Sequence, residues 1–195
     1  AQLCSPQCFQ PEINRIVEVL YTHLISIAVN NEFSTEEFSL QTRMASQHPQ
    51  AFAKGHRIAP SEKAVSVNLA RAGTYPSHIC YNFLHFALPA LQVRQDHIFA
   101  ARVTNQNNAV TGADFGGMKI GGDVTQAHVI LPDPMGATGN TMVTAVQHYK
   151  EHIKGPAKKY IALNLIVTPE YLKRLLSAHP DVVIYTLRLD RGLSS

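Results

Sequence analysis

Tryptophan is absent from this sequence, and charged residues and cysteines are scarce. Charged residues make up 16% of the chain, against about 25% in typical soluble domains. The three cysteines, Cys4, Cys8 and Cys80, are odd in number and form no C-x-x-C pair. This pattern argues against a disulfide scaffold, and a zinc site would need two further ligands from elsewhere. We therefore expect reduced thiols and a cytoplasmic protein.

Long apolar runs and basic stripes are also missing. No run approaches the ~20 residues that a membrane helix needs, and residues 1–10 lack the basic start and apolar block of a secretory signal. Lys158 and Lys159 form the only adjacent pair of lysines in a chain of net charge +3. We therefore expect neither a membrane nor a nucleic-acid partner, and the small positive excess suits an anionic substrate.

What the chain does contain is enough apolar material for one full-sized core. It has 195 residues, of which 45% are hydrophobic, and 11 glycines and 11 prolines without a period. Length and composition together predict a single domain over residues 1–195.

The apolar spacing changes along the chain. Residues 11–30 show helical spacing, and Ser34 followed by Glu37 is a capping-box pattern that predicts a second helix ending near residue 48. We therefore expect a helical segment over residues 1–50. Beyond it, short apolar runs alternate with helical stretches, which is typical of an α/β fold with a mostly parallel sheet. The predicted strands are 64–69, 97–103, 127–131, 160–167 and 182–187, and the predicted helices are 76–86, 141–153 and 170–178.

The segment with the clearest chemistry is 133–141, which reads Asp-Pro-Met-Gly-Ala-Thr-Gly-Asn-Thr between a predicted strand and a helix. Small residues let successive N–H groups point into one concavity, to which the helix start adds positive charge. Thr138 and Thr141 add hydroxyl donors, so the segment predicts a phosphate cradle with Asp133 at its entrance. It matches neither a Walker loop nor a dinucleotide fingerprint, and an ordinary glycine-containing turn is the alternative.

Residues 129–141 resemble the loop that binds 5-phosphoribosyl 1-diphosphate (PRPP) in phosphoribosyltransferases. The resemblance is to the Asp-Pro-Met-x-Ala-Thr-Gly-Gly-Ser/Thr form of the uracil phosphoribosyltransferases, because most other members carry two adjacent acidic residues where this chain has Asp133 and Pro134. The chain departs from that form at two positions. Gly136 replaces the usual leucine, and Asn140 replaces a glycine.

Three further segments agree in order with the same family, so that the resemblance runs from about residue 65 to the last residue. Leu-Ala-Arg-Ala-Gly at 69–73 looks like the loop that grips pyrophosphate. Thr-Pro-Glu at 168–170 is similar to the family's Ala-Pro-Glu, and 179–193 is similar to its His-Pro-Asp-Val-x-x-Tyr-Thr…Asp-x-x-Leu segment.

The resemblance implies a phosphoribosyltransferase-type, Rossmann-like parallel sheet flanked by helices, with N-terminal helices. It also implies that Asp133 hydrogen-bonds the ribose hydroxyls and that Arg71 faces the pyrophosphate, so these two are the expected catalytic residues. The expected PRPP-binding residues are Arg71, Ala72, Gly73, Arg102, Asp133, Pro134, Met135, Gly136, Ala137, Thr138, Gly139, Asn140 and Thr141, of which the last five would hold the 5-phosphate.

Residues 104–122 are rich in glycine and are predicted to form a flexible lid that excludes water when it closes. Arg102, at the end of the predicted strand that leads into this segment, resembles the family's second PRPP-contacting arginine. The alternatives are a surface loop without a role and a solvated arginine. The family's loop begins Arg-x-Glu-Glu/Lys-Thr-Leu-x-Pro, and this chain lacks those acids.

The resemblance implies a Mg²⁺-dependent transferase that makes UMP and diphosphate from uracil and PRPP. Mg²⁺ would be bound mainly through PRPP, without a protein metal site, and a homodimer or higher oligomer is expected. A PRPP-binding homologue with altered base specificity or a non-catalytic regulatory role is the alternative. Regulation by GTP is left open.

Base recognition is the open half of this prediction. Uracil phosphoribosyltransferases continue into a Gly-Tyr-Ile-x-Pro-Gly-Leu-Gly-Asp-Ala-Gly segment whose backbone recognises the base, and the 195 residues contain no counterpart. Three explanations stay open: the sequence lacks a tail, the base is recognised differently, or the base is not uracil.

Overall fold

The computed structural model describes residues 2–104 and 110–193, with the backbone alone for 101–104 and 110–115. The four α-helices of this part are α1 (Glu12–Glu32), α2 (Thr74–Ala87), α3 (Asn140–His152) and α4 (Pro169–Ala178). Its strands are β1 (Thr35–Gln41), β2 (Phe52–Ile58), β3 (Lys63–Ala70), β4 (Val93–Thr104), β5 (Val110–Lys119), β6 (Ala127–Pro132), β7 (Met135–Gly136), β8 (Lys159–Val167) and β9 (Val182–Leu189). None of the helices among these residues is long and apolar enough to cross a membrane.

A central sheet joins seven of the strands. Its main order is β5-β4-β3-β6-β8-β9, and the short β7 pairs with the carboxyl end of β8. All neighbours are parallel except β4 and β5, which pair antiparallel. Every residue of β6 is buried, as expected for a parallel strand covered on both faces.

Each face of the sheet is covered by one pair of helices. One apolar core packs α3 and α4 against side chains such as Val65, Leu131 and Ala162. The other packs α1 and α2 against side chains such as Ile130, Ile161 and Leu163. The predicted α/β fold class is therefore confirmed, and each helix and strand predicted beyond residue 50 is present within a few residues of its expected bounds.

The prediction was wrong for the second half of the N-terminal segment. Of the residues expected to form a second helix from Ser34 to residue 48, 35–41 instead form β1, which pairs antiparallel with the unpredicted β2, and only Arg43–Ser46 form a short 3₁₀ helix. Alternating Phe38 and Leu40, with β-branched Thr35, favour an extended strand once a partner strand is available, and this outweighs the capping-box pattern. The segment 1–50 is therefore one long helix followed by a strand, and β1 and β2 form a two-stranded arm.

The expectation of a loop over residues 104–122 was also wrong in part, because 110–119 form β5 alongside β4. Gly112, Gly116 and Gly117 lie in this edge strand, where each residue pairs with one neighbouring strand only and missing side chains cost little packing. Whether this strand pair moves as a lid stays a prediction. Residues 105–109 lie outside the described residues.

A buried polar cluster fixes the base of the arm at the amino-terminal edge of the sheet. The Glu62 carboxylate accepts hydrogen bonds from Lys158 Nζ at 2.5 Å, His128 Nε2 at 2.7 Å and the backbone N–H of Ser34 at 3.2 Å. Glu62 is 6% exposed and His128 is fully buried, with its ring stacked on Phe33. This cluster lies at the end of the sheet opposite to the loops described next.

Candidate active site

The order of the strands creates a crevice at one place in the sheet. From β3 the chain crosses through α2 to β4 on one side, whereas β6 lies on the other side of β3. In open α/β sheets, ligands bind outside the carboxyl ends of strands at such a switch point. Two segments leave the sheet there: residues 69–73, here called the Arg71 loop, and residues 133–141, here called the Asp133 loop.

The Arg71 loop is short and closely packed at its end. Arg71 and Ala72 are exposed, and the Ala70–Arg71 peptide bond is cis. Gly73 is buried, and a Cβ atom there would lie 2.8 Å from the carbonyl oxygen of Pro132 and 2.9 Å from that of Leu69. Glycine at position 73 is therefore what lets this loop lie directly against the end of β6.

Side chains behind the Arg71 loop connect its two ends. Thr74 Oγ1 donates to Asn68 Oδ1 at 3.1 Å, and Asn68 Nδ2 lies 3.1 Å from His97 Nδ1. Because an amide nitrogen can only donate, His97 Nδ1 is the acceptor in this contact. The three side chains link β3, α2 and β4 beneath Arg71.

The Asp133 loop is tied to β8 and to the start of α4 by its backbone. The N–H of Asp133 donates to the carbonyl oxygen of Leu163 at 3.0 Å, and the carbonyl of Gly136 accepts from the N–H of Thr168 at 2.9 Å. The Thr168 hydroxyl also donates to the carbonyl of Ala137 at 2.5 Å. The loop therefore follows a path set by neighbouring buried elements.

A small cavity of about 50 Å³ lies where the Asp133 loop enters α3. Gly139 precedes the helix with φ +79°, a conformation that favours glycine. The first N–H groups of a helix have no intrahelical partner, and the helix dipole adds positive charge there. The cavity therefore suits a phosphate group. Its lining residues are Asp133, Met135, Gly136, Ala137, Thr138, Gly139, Thr141, Met142 and Tyr171.

A larger cavity of about 830 Å³ connects the two loops. It shares Asp133, Met135, Ala137 and Thr141 with the small cavity and extends to the Arg71 loop and to Ala100 of β4. A cationic side chain thus stands at one end and a phosphate-sized cradle at the other, with a carboxylate between them. This arrangement suits an elongated ligand that carries a phosphate group at each end.

The structure brings most of the predicted site residues onto these two cavities. Gly73 and Pro134 support the loops from outside: the Pro134 carbonyl accepts from the N–H groups of Leu165 and Ile166. Asn140 begins α3 and lines neither cavity, and its Oδ1 is buried without a hydrogen-bond partner among the described residues. The backbone of Arg102 lies in β4, and its side chain is outside the described part of the chain.

The sequence prediction missed the polar residues that support the loops from behind. Asn68 and Asn164 are buried polar residues in largely apolar strands, and Thr168 and Tyr171 lie at the start of α4. A polar residue inside an apolar strand signals a buried partner, because burying an unpaired amide is unfavourable. That signal was available at Asn164, the one polar residue in 161–167.

The donor groups of the larger cavity fit a cation held mainly by its substrate. Asp133 is the one carboxylate among the described lining residues. No group of three or more His, Cys, Asp or Glu side chains that could hold a metal occurs in the described part of the chain. Mg²⁺ is commonly bound by one or two carboxylates together with substrate phosphates, so Asp133 with a bound diphosphate fits it.

The sequence and fold of this chain are similar to those of known proteins. The sequence profile of the family described as uracil phosphoribosyltransferase matches residues 7–195. The chain belongs to this family. The uracil phosphoribosyltransferase of Rhodococcus jostii is 33% identical over 171 residues, which cover 87% of this chain and 72% of that protein. The enzyme of Chlamydia muridarum is 40% identical over 76 residues, and this match spans only 39% of this chain and 24% of that relative.

Solved structures share the fold at low sequence identity. The AQ2163 protein from Aquifex aeolicus is 18% identical with a TM-score of 0.75, over 96% of this chain and 80% of that one. An adenine phosphoribosyltransferase from Trypanosoma brucei, in complex with AMP, pyrophosphate and ribose-5-phosphate, is 14% identical with a TM-score of 0.53, over 95% and 68% of the two chains. These likenesses establish a phosphoribosyltransferase fold for the chain.

Proposed function

We propose that this chain is a uracil phosphoribosyltransferase that makes UMP and diphosphate from uracil and PRPP. The observation that carries the proposal is the meeting of the Arg71 and Asp133 loops on one cavity at the switch point of the sheet. Family membership and the names of the relatives support the same substrates.

We propose one orientation for PRPP in these cavities. Its 5-phosphate would occupy the small cavity at the start of α3, where backbone N–H groups and the hydroxyls of Thr138 and Thr141 can donate. Its ribose hydroxyls would then lie near Asp133, and its pyrophosphate near the Arg71 guanidinium, which can make paired charge-assisted hydrogen bonds.

The reaction needs no protein nucleophile. The bond from ribose C1 to the pyrophosphate oxygen breaks, a bond from C1 to N1 of uracil forms, and the N1 proton is released. Because positive charge develops on the ribose as pyrophosphate leaves, Arg71 assists by stabilising the leaving group, and Asp133 assists by orienting the sugar. Bound Mg²⁺ would supply further neutralisation of the pyrophosphate.

We infer that the β4–β5 strand pair covers this cavity during turnover. Ala100 of β4 lines the larger cavity, so movement of the strand pair would change its access to water. Arg102, two residues further along β4, is a second candidate contact for the PRPP phosphates.

We also infer a cytoplasmic homo-oligomer. The described cysteines, Cys4, Cys8 and Cys80, are all unpaired, as is usual in a reducing compartment. The resemblance to the family supports self-association. Light scattering at working concentration checks the second inference, and a monomer would contradict it.

The deciding experiment measures products from PRPP, Mg²⁺ and one of several bases. UMP and pyrophosphate in equal amounts with uracil, and none with cytosine, adenine or hypoxanthine, are expected. Turnover with another base alone would show altered specificity. Thermal stabilisation by PRPP with Mg²⁺, without turnover of any base, would favour a regulatory PRPP-binding protein instead.

A further inference from the structure

A tyrosine lies directly beneath the Asp133 loop. Tyr171, in the first turn of α4, is 1% exposed and lines the small cavity. A Cβ atom at Gly136 would lie 2.8 Å from Tyr171 Cδ2 and 2.9 Å from its Cγ and Cε2. A Cβ atom at Gly139 would lie 3.3 Å from the Tyr171 carbonyl oxygen. The two glycines of the loop therefore pack against one residue.

The hydroxyl of the same tyrosine connects to the entrance of the loop. Tyr171 donates to Asn164 Oδ1 at 2.9 Å, and Asn164 Nδ2 donates to the carbonyl of Asp133 at 2.6 Å. Asn164 is fully buried. Burial and the nearby Asp133 carboxylate both raise the pKa of the Tyr171 hydroxyl, so it stays protonated and keeps its role as a donor.

We propose that Tyr171 is a positioning residue for PRPP binding. Its ring packs against the backbone at Gly136, its main chain lies against Gly139, and its hydroxyl, through Asn164, holds the main chain of Asp133. The inference rests on the proposed function and deepens it, because it adds a residue that shapes the donor half of that site.

The ring of Tyr171 has space because position 136 is a glycine. Gly136 stands where the family carries leucine, and the Tyr171 ring fills the space that a side chain at 136 would enter. The two positions therefore form a size-matched pair, which predicts that they depend on each other when substituted.

The first test removes the hydroxyl alone. In Tyr171→Phe the ring is kept and the hydrogen bond to Asn164 is lost, so we expect the KM for PRPP to rise about five- to tenfold, as for the loss of one buried hydrogen bond. The KM for uracil is expected to stay within about twofold, because only PRPP binding is altered. The matched control is Tyr149→Phe, which removes another buried hydroxyl, one that donates to Asp96 rather than toward the loop.

The second test exchanges the sizes of the side chains at positions 136 and 171. Gly136→Leu alone clashes with the ring, and Tyr171→Ala alone leaves the loop unsupported, so each is expected to weaken PRPP binding. The double variant Gly136→Leu with Tyr171→Ala is expected to bind PRPP more tightly than either single variant. This rescue would not be seen if each substitution simply destabilised the fold.

PRPP binding is measured both as a KM and as the rise in melting temperature with PRPP and Mg²⁺. Equal effects of Tyr171→Phe and Tyr149→Phe on PRPP binding, or a double variant that binds PRPP no more tightly than the better of the two single variants, would overturn the positioning role. If PRPP stabilises the wild-type protein but no uracil is turned over, only the proposed activity is overturned. The rise in melting temperature with PRPP still measures the effect of the Tyr171 variants. A wild-type protein that PRPP does not affect overturns both.

Discussion

The Thr74 hydroxyl and the Asn68 side-chain oxygen are joined by a hydrogen bond of 3.1 Å that bridges the two ends of the Arg71 loop. Asn68 belongs to β3 and Thr74 is the first residue of α2, so the bridge spans the whole loop between them. The side-chain nitrogen of Asn68 is hydrogen-bonded to His97 of β4. The loop that presents Arg71 is therefore held by side chains as well as by its own backbone.

Removing this bridge should weaken PRPP use. In Asn68→Ala the loop loses its contact to Thr74, and we expect kcat/KM for PRPP to fall about tenfold, which corresponds to about 1.4 kcal/mol. Steady-state kinetics checks this. Ser66→Ala is the matched control, since Ser66 is buried in the same strand and donates to the carbonyl of Ser77, away from the loop. Equal losses in both variants would contradict a specific role for the bridge.

Arg71 should contribute to activity and little to stability. Its side chain is exposed, so Arg71→Gln is expected to change the free energy of unfolding by less than about 0.5 kcal/mol. Because the variant lacks the charge that stabilises departing pyrophosphate, kcat/KM is expected to fall by about 10² to 10³. Arg57→Gln removes an exposed arginine paired with Glu36 on the arm and should leave kcat/KM unchanged. Activity of Arg71→Gln close to wild type would exclude the proposed role.

Gly73 should be intolerant of even one methyl group. In Gly73→Ala the new Cβ would meet the carbonyl oxygens of Pro132 and Leu69 at less than 3 Å, so the Arg71 loop must move away from β6. We expect a loss of about 2 kcal/mol in the free energy of unfolding, as for overpacking elsewhere, together with weaker PRPP binding. Denaturant unfolding and the PRPP-dependent rise in melting temperature measure the two effects.

The control for that variant is Gly116→Ala, because no described atom lies within 4 Å of a Cβ at position 116. It should unfold within about 0.5 kcal/mol of wild type. If Gly73→Ala behaves in the same way, the close approach of the Arg71 loop to β6 is not needed.

Sequence patterns predicted the parallel part of the fold because buried parallel strands read as continuous apolar runs, as in β6 and β8. They failed at Ser34–Glu37, where a local capping signal favoured a helix. The partner that decides the matter is β2, and its pairing with β1 depends on residues up to 23 positions apart, such as Thr35 and Ile58. Local propensity carries no information about such pairing.

The candidate site shows a similar division. Segments 69–73 and 133–141 were recognisable because their chemistry lies in consecutive residues. The support of Asp133 by Asn164 and Tyr171 was not recognisable in the sequence. These residues are brought together only by the pairing of β6 with β8 and by the packing of α4.

The Glu62 cluster should make stability depend on pH. Burial alone would raise the pKa of Glu62, but hydrogen bonds from Lys158, Ser34 and His128 outweigh it and lower the pKa from 4.5 to about 2. Between these values the unfolded chain binds a proton that the folded chain does not. The stabilisation is therefore complete above pH 4.5 and is lost as the pH falls toward 2. Burial also lowers the pKa of His128, which adds a loss of stability below about pH 6.5.

Comparison of wild type with Glu62→Gln tests the contribution of the Glu62 carboxylate to this pH dependence. Between about pH 7 and pH 3, wild type is expected to lose about 2 kcal/mol more free energy of unfolding than the variant, because the amide that replaces the carboxylate has no proton to gain. Urea unfolding at several pH values across this range measures the difference. Glu36→Gln breaks an exposed pair with Arg57, so its pH dependence should follow wild type within about 0.5 kcal/mol. If the free energy of unfolding depends on pH in the same way for wild type and Glu62→Gln, Glu62 has the same pKa in the folded and unfolded chain. The Glu62 cluster would then not be the source of the acid sensitivity.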